Sequence, residues 1–73
     1  MRVSEKQIQV ARRLVSLRAL QGLTQEELAS AAKVGRSSVV RAEQGRYSAD
    51  IVVKLNSVFG TSLDYIFEGK GAP

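Results

Sequence analysis

The side chains of this chain that could do chemistry are concentrated between residues 33 and 46. The chain as a whole has 11 Lys and Arg against 7 Asp and Glu, which gives a net charge of +4. The segment 33–46 holds four of the bases and a single acid, and these are Lys33, Arg36, Arg41, Arg46 and Glu43. A local excess of positive charge of this kind is typical of a surface that binds phosphate groups.

The residues that the chain lacks argue against catalysis and metal binding. It has no histidine and no cysteine, so no zinc site is predicted. Ser37 and Ser38 have no base to activate them, no glycine-rich phosphate loop follows a strand, and no paired carboxylates share a cleft. We therefore predict that the protein is not an enzyme. No catalytic residue, metal, cofactor or small-molecule ligand is expected.

Size and hydropathy predict one domain outside any membrane. The 73 residues suffice for a single domain, which we place at 1–68, followed by a tail over 69–73 that should fray. No apolar run is long enough to span a membrane, and no signal peptide is recognisable. Because the absence of cysteine suits a reducing compartment, we expect a cytoplasmic protein with no membrane partner.

Capping patterns predict where the first two helices begin. Ser4 with Gln7, and Thr24 with Glu27, each place a hydroxyl three positions before a side chain that can reach back to the helix start. Gly22 suits a left-handed backbone, so the first helix should stop just before it. The second helix should end near residue 32.

A tight turn over 33–35 should lead into a third helix, from Arg36 to about Gln44. Val39 and Ala42 are predicted to point inward, which leaves the polar and basic residues on the outer face. Gly45 should end this helix. Two short helices joined by a tight turn are typical of a helix-turn-helix, whose second helix enters the DNA major groove.

Two further helices complete the predicted all-α chain. Ser48 should cap a fourth helix that Gly60 closes, and Ser62 should cap a short fifth helix. In the first helix the apolar stripe is predicted to include Ile8, Ala11, Leu14, Val15 and Leu17. The other core positions are predicted to be Leu28, Ala29, Val39, Ala42, Leu55 and Phe59.

Five short motifs follow one another, at fixed spacings, over most of the chain. They are Leu14-x-x-Leu17-Arg18, Gly22-Leu23-Thr24-Gln25-x-x-Leu28-Ala29, Ser37-Ser38-Val39, Glu43-x-Gly45 and Phe59-Gly60-Thr61-Ser62-Leu63-Asp64-Tyr65-Ile66-Phe67. Together they resemble the lambda/434 repressor and Cro-like helix-turn-helix proteins, also called the XRE family. The resemblance implies a compact five-helix bundle whose second and third helices read double-stranded DNA. It further implies a bacterial or phage transcription regulator, with repression by occupying an operator as the expected action.

The resemblance implies that the third helix contacts bases. The candidates are Arg36, Ser37, Val40 and Arg41. Arg36 can pair with guanine through two hydrogen bonds, or it can hold a phosphate instead. Val40 suits a thymine methyl group, unless it packs as a further core valine. For Arg41 the alternatives to DNA are a solvated charge and an ion pair.

Phosphate contacts are expected from Gln25, Lys33, Ser38 and Arg46. Gln25 opens the second helix, where free N–H groups favour an anion, and the alternative is an exposed residue with no partner. The family usually has glycine where this chain has Lys33. A left-handed backbone at that position is unfavourable by about 1 kcal/mol for any residue other than glycine. The family also commonly has serine or threonine where Gly35 stands.

The resemblance also implies an ion pair between Arg18, late in the first helix, and Glu43, late in the third. We expect a structural role for this pair, because removing one partner of a buried pair costs about 3–5 kcal/mol. Lys6, Arg12 and Arg13 are expected on the solvated face of the first helix, although one of them could reach the DNA backbone.

A single module reads few base pairs, and relatives bind palindromic sites as dimers with half-sites about one helical turn apart. We therefore expect a homodimer on a palindromic operator, with Leu63, Ile66 and Phe67 as candidate contacts. These side chains could instead cover the core of a monomer. The second functional hypothesis is an antitoxin that binds a toxin and represses its own operon, although the short tails leave little room for a toxin-binding segment.

Overall fold

The computed structural model describes residues 2–71, and they fold into five helices. These are α1 (Glu5–Leu20), α2 (Gln25–Ala32), α3 (Arg36–Glu43), α4 (Ala49–Phe59) and α5 (Leu63–Glu68). No strand occurs between residues 2 and 71, and the Cα radius of gyration is 11.0 Å. The prediction of an all-α bundle of five helices is confirmed.

Four of the helices begin at a side chain that caps the first turn. In each case a hydroxyl accepts a hydrogen bond from the backbone N–H three residues further on, and the caps are Ser4, Thr24, Ser48 and Ser62. At the first two caps the side chain three residues on also accepts from the cap's own N–H, so both predicted capping boxes are present. Helix α3 begins instead after Gly35, which has no side chain to accept such a bond.

The helices end close to their predicted positions. A left-handed residue follows α2, α4 and α5, and at α2 this residue is Lys33, with φ 59° and ψ 44°. Helix α3 ends at Glu43, one residue earlier than predicted, because the backbone of Gln44 has already left the helical region. Helix ends commonly fray by a residue in this way.

One apolar core joins all five helices. Its buried side chains include the six positions predicted outside α1. In α1 the core differs from the prediction: Val10, which was not predicted, is fully buried, whereas Val15, which was predicted, is 37% exposed and Ile8 is only half-buried. Val10, Leu14 and Leu17 recur four and three residues apart and lie at the centre of the buried stripe. Val15 follows Leu14 by about 100° around the helix, which turns its side chain away from the core.

The C-terminal helix is tied to the start of the chain. Lys6 of α1 forms an ion pair with Glu68 of α5 at 2.7 Å, and Arg13 donates a hydrogen bond to the Ile66 carbonyl at 3.3 Å. Two of the three cations expected on the solvated face of α1 thus hold α5 in place. Of the predicted tail, residues 72 and 73 lie outside the described residues. In the range 2–71 no helix is both long and apolar enough to cross a membrane.

Candidate nucleic-acid interface

The turn between α2 and α3 fixes the orientation of α3. In this turn the N–H of Val34 donates to the Ala29 carbonyl at 3.0 Å, and the N–H of Lys33 donates to the Ser30 carbonyl at 3.2 Å. Val39 and Ala42 of α3 are fully buried in the core. Because these inward residues are fixed, the opposite face of α3 must point away from the bundle.

That outer face carries the residues that were predicted to contact bases. Arg36, Ser37 and Arg41 are exposed, and Val40 is half-buried. Val40 thus differs from Val39 beside it, which has no exposed surface. The arrangement offers two guanidinium groups, one hydroxyl and one partly exposed apolar side chain along two turns of helix. Such a set can hydrogen-bond to base edges and also contact a methyl group.

An ion pair connects the end of α3 to α1. Arg18 Nε lies 2.6 Å from Glu43 Oε2, and Arg18 Nη2 lies 3.1 Å from Glu43 Oε1. A third donor, Arg18 Nη1, is 2.8 Å from the Leu23 carbonyl. The side chains are only 20% and 8% exposed. The hydrogen bond to Glu43 raises the pKa of Arg18 above its ordinary value, against the opposing effect of burial.

Gln25 joins the same network from α2. Its Nε2 donates to Glu43 Oε1 at 3.0 Å, so one carboxylate receives donors from α1 and from α2. Sequence reasoning treated Gln25 as a phosphate contact or as a residue with no partner, and it missed this bond. The 18 positions between the two residues carry no local signal for it. The amide group has a second N–H, which remains available to an external acceptor.

A shallow groove runs between the start of α2 and the start of α3. Gln25 and Arg36 both line it, together with the acid Glu26. Thr24 donates its N–H to Glu27, and this bond lowers the pKa of that carboxyl. Besides Arg18, which pairs with Glu43, the groove presents the guanidinium of Arg36 and the amide of Gln25 to an anion, next to the carboxylate of Glu26, which would repel it. Acids are favourable in the first turn of a helix for the stability of α2 itself.

A second groove follows the end of α3 and brings together three of the predicted contacts. It is lined by Ser38, Arg41 and Arg46, with Tyr47 and Ser48 beyond them. Arg46 is exposed, and its backbone N–H donates to the Arg41 carbonyl at 2.9 Å. Lys33 lines neither groove and stands exposed on the turn between α2 and α3.

The three residues expected at a dimer contact differ in exposure. Leu63 is 48% exposed, whereas Ile66 has no exposed surface and belongs to the core. Phe67 is half-buried and packs against the core. Ile66 cannot touch a second copy while it stays buried, so a contact through α5 would rest on Leu63 and the exposed part of Phe67. No group of three acidic side chains that could hold a metal ion occurs in the part of the chain that the structure describes.

Comparison with known proteins agrees with this geometry. A family profile described as helix-turn-helix matches residues 14–66, which include α2, α3, α4, the C-terminal part of α1 and most of α5. No curated protein and no solved structure gives a significant match. The matched region covers the Arg18–Glu43 pair, both grooves beside α3 and the core that supports them. The chain therefore belongs to the Cro/C1-type helix-turn-helix family of DNA-binding transcription regulators.

Proposed function

We propose that the protein is a sequence-specific repressor that places α3 in the major groove of an operator. Arg36, Ser37, Val40 and Arg41 would face the base edges. Gln25, Lys33, Ser38 and Arg46 would hold the flanking phosphates. The protein would act by binding, without catalysis, in the cytoplasm where the DNA lies.

The observation that carries this proposal is a division among the cations. Four of them bind an acid or a carbonyl of their own chain, and these are Lys6, Arg13, Arg18 and Lys54. The cations of segment 33–46 are all exposed, and none of their side chains has a hydrogen bond or ion pair within residues 2–71. Four exposed and unpaired cations within segment 33–46 fit an external polyanion.

We further propose that two copies bind a palindromic operator, with half-sites about one helical turn apart. A two-fold dimer presents the same face of α3 twice, which doubles the number of base pairs that are read. Leu63 would lie at the contact between the copies, since it is a large apolar side chain that α5 leaves exposed.

Selection of binding sites from a pool of random duplexes, at about 0.15 M salt, tests the proposal. We expect enrichment of an inverted repeat with a regular spacing. Enrichment of a single half-site would support sequence-specific binding and overturn the dimer. Weak, salt-sensitive binding without enrichment would contradict the repressor proposal and favour a protein-binding role such as that of an antitoxin.

A further inference from the structure

Val3, just before α1, is packed closely against the loop between α3 and α4. Gly45 in this loop is buried, with φ +87°. A Cβ atom on Gly45 would lie 2.6 Å from Val3 Cγ1 and 3.5 Å from the backbone carbonyl of Gln7. Only glycine allows this approach, and the approach places Arg2 and Val3 beside the loop that carries Arg46.

A third groove, of about 370 Å³, forms where these two segments meet. Val3 and Tyr47 provide apolar surface within it, and the exposed cations Arg2 and Arg46 also line it. Gln7 adds an amide group. The residues that line this groove include no acid.

The third groove and the groove at the end of α3 share two lining residues, Arg46 and Tyr47. Together the two grooves form what we call the track: Arg41, Arg46 and Arg2 line it, and no acid does. Burial raises the pKa of Tyr47, although the nearby cations Lys6 and Arg13 oppose that effect. Like an ordinary tyrosine, Tyr47 is neutral at neutral pH, so its hydroxyl can donate a hydrogen bond.

We propose that this track binds the sugar-phosphate backbone of DNA beyond the bases that α3 reads, with Arg2 as its outermost phosphate contact. The inference rests on the proposed function and extends it to a residue outside the matched region 14–66. The three arginines that line the two grooves suit the regularly repeated charge of a nucleic-acid strand. Val3 and Tyr47, which line the third groove together with Arg2 and Arg46, add apolar surface that suits the sugar between two phosphates.

The test compares Arg2→Ala with Arg2→Lys and Arg12→Ala in binding to a fluorescently labelled duplex, at several salt concentrations. The duplex carries the sequence enriched by the selection. Arg12 is the matched control, since it is an exposed arginine of α1 that lines none of the three grooves. Thermal unfolding of each variant shows whether the fold is intact.

For Arg2→Ala we expect the negative slope of log K against log salt to become shallower by about 0.9, which is the value for one lost phosphate contact. Relative affinities for mutated sites should stay unchanged, because Arg2 reads no base. Arg2→Lys should keep most of the slope, and Arg12→Ala should behave as wild type.

An Arg2→Ala protein that is folded and keeps the wild-type slope would overturn the proposal while leaving the proposed function intact. A changed base preference would also contradict it, because Arg2 would then read sequence. If the wild-type protein bound no duplex at all, the proposed function would fail, and the backbone track with it.

Discussion

Lys33 has an unusual backbone for its residue type. It is the one residue other than glycine with a positive φ among residues 2–71, and it stands exposed between α2 and α3. A left-handed backbone is unfavourable for any side chain with a Cβ, by about 1 kcal/mol. The turn is therefore less stable than it would be with glycine, and it carries a cation beside the proposed DNA surface.

Replacement of Lys33 should reveal both effects separately. We expect Lys33→Gly to be more stable than Lys33→Ala by about 1 kcal/mol, because the two variants lack the same charge and differ only at Cβ. Urea unfolding measures this difference. Both should lose the same amount of salt dependence in DNA binding, and an Ala variant as stable as the Gly variant would contradict the strain at this turn.

Arg36 is the residue at which reading of a base should be most visible. We expect Arg36→Ala to lose discrimination at one base pair, worth about 1–3 kcal/mol, because its guanidinium can form two hydrogen bonds with guanine. Affinities for a panel of singly mutated operators measure this loss. Gln25→Ala is the comparison, and it should weaken all sites evenly. An even loss with Arg36→Ala as well would assign Arg36 to a phosphate.

Exposure and helical position could be predicted for most of these residues, but their partners could not. The sequence pattern placed Arg36, Ser37 and Arg41 on the outer face, because the inward position of Val39 follows from helical periodicity. The bond between Gln25 and Glu43 depends on how α2 packs on α3, and no spacing within the sequence encodes it.

At the scale of elements, the carboxylate of Glu43 is a junction for three helices. It accepts from Arg18 of α1 and from Gln25 of α2, while it belongs to α3 itself. The pair is mostly shielded from water, so each charge depends on the other for its stabilisation. One side chain thus links α2 and α3 to α1, in addition to the core contacts that the three helices share.

Glu43→Ala should consequently destabilise the fold by about 3 kcal/mol, since the guanidinium of Arg18 would lose its counter-charge. The double variant Arg18→Met with Glu43→Met should recover most of that loss, because it leaves no unpaired charge. Thermal and urea unfolding of the single and double variants measure both effects. A double variant no better than Glu43→Ala would show that the loss comes from packing and not from the stranded charge.

The contact between α1 and α5 should depend on pH. The hydrogen bond from Lys6 lowers the pKa of Glu68 below its ordinary value of 4.5. A carboxyl with a lowered pKa stabilises the fold above its ordinary pKa, and this contribution disappears as the pH falls through the folded-state pKa. We expect wild type to exceed Glu68→Gln in stability at neutral pH and to match it in acid, as measured by urea unfolding across that range.

Lys6→Met provides the control for that titration. In this background Glu68→Gln should have little pH-dependent effect, because the main cause of the lowered pKa is gone. High salt should also reduce the wild-type advantage, since both side chains are largely exposed. If wild type stayed more stable than Glu68→Gln at high salt, and the same difference persisted in the Lys6→Met background, the stabilisation would not come from the Lys6–Glu68 pair.

The positions at which the first two helices begin were predictable, because the residues that cap them are close in the sequence. Ser4 and Thr24 cap their helices through residues three positions away, and both boxes can be seen in the sequence. The roles of Lys6 and Arg13 were not visible, because their partners lie 62 and 53 positions away in α5. Apolar residues in α1 occupy more positions than one face can bury, so periodicity alone did not show which of them lie at the centre of the buried face. Val10 was missed for that reason.

At the scale of the whole molecule, the proposed dimer predicts how a substitution in α5 should change the association state. We expect Leu63→Lys to shift the protein toward monomer and to weaken operator binding, because it places a charge at the proposed contact. Val53→Lys is the control, since Val53 is an apolar side chain of α4 with similar exposure, 42% against 48%. Sedimentation at several concentrations measures the effect, and equal behaviour of the two variants would count against a contact through α5.

Capping at nearly every helix start also bears on how quickly the chain reaches its native state. Helices whose boundaries are set by neighbouring residues can form transiently before the core assembles. Short connections between them leave little loop entropy to overcome, and helical bundles of this kind fold within microseconds to milliseconds. A freshly synthesised copy would be folded almost as soon as it leaves the ribosome. The response time of the genes it controls would then depend on synthesis and dilution, with no delay from folding.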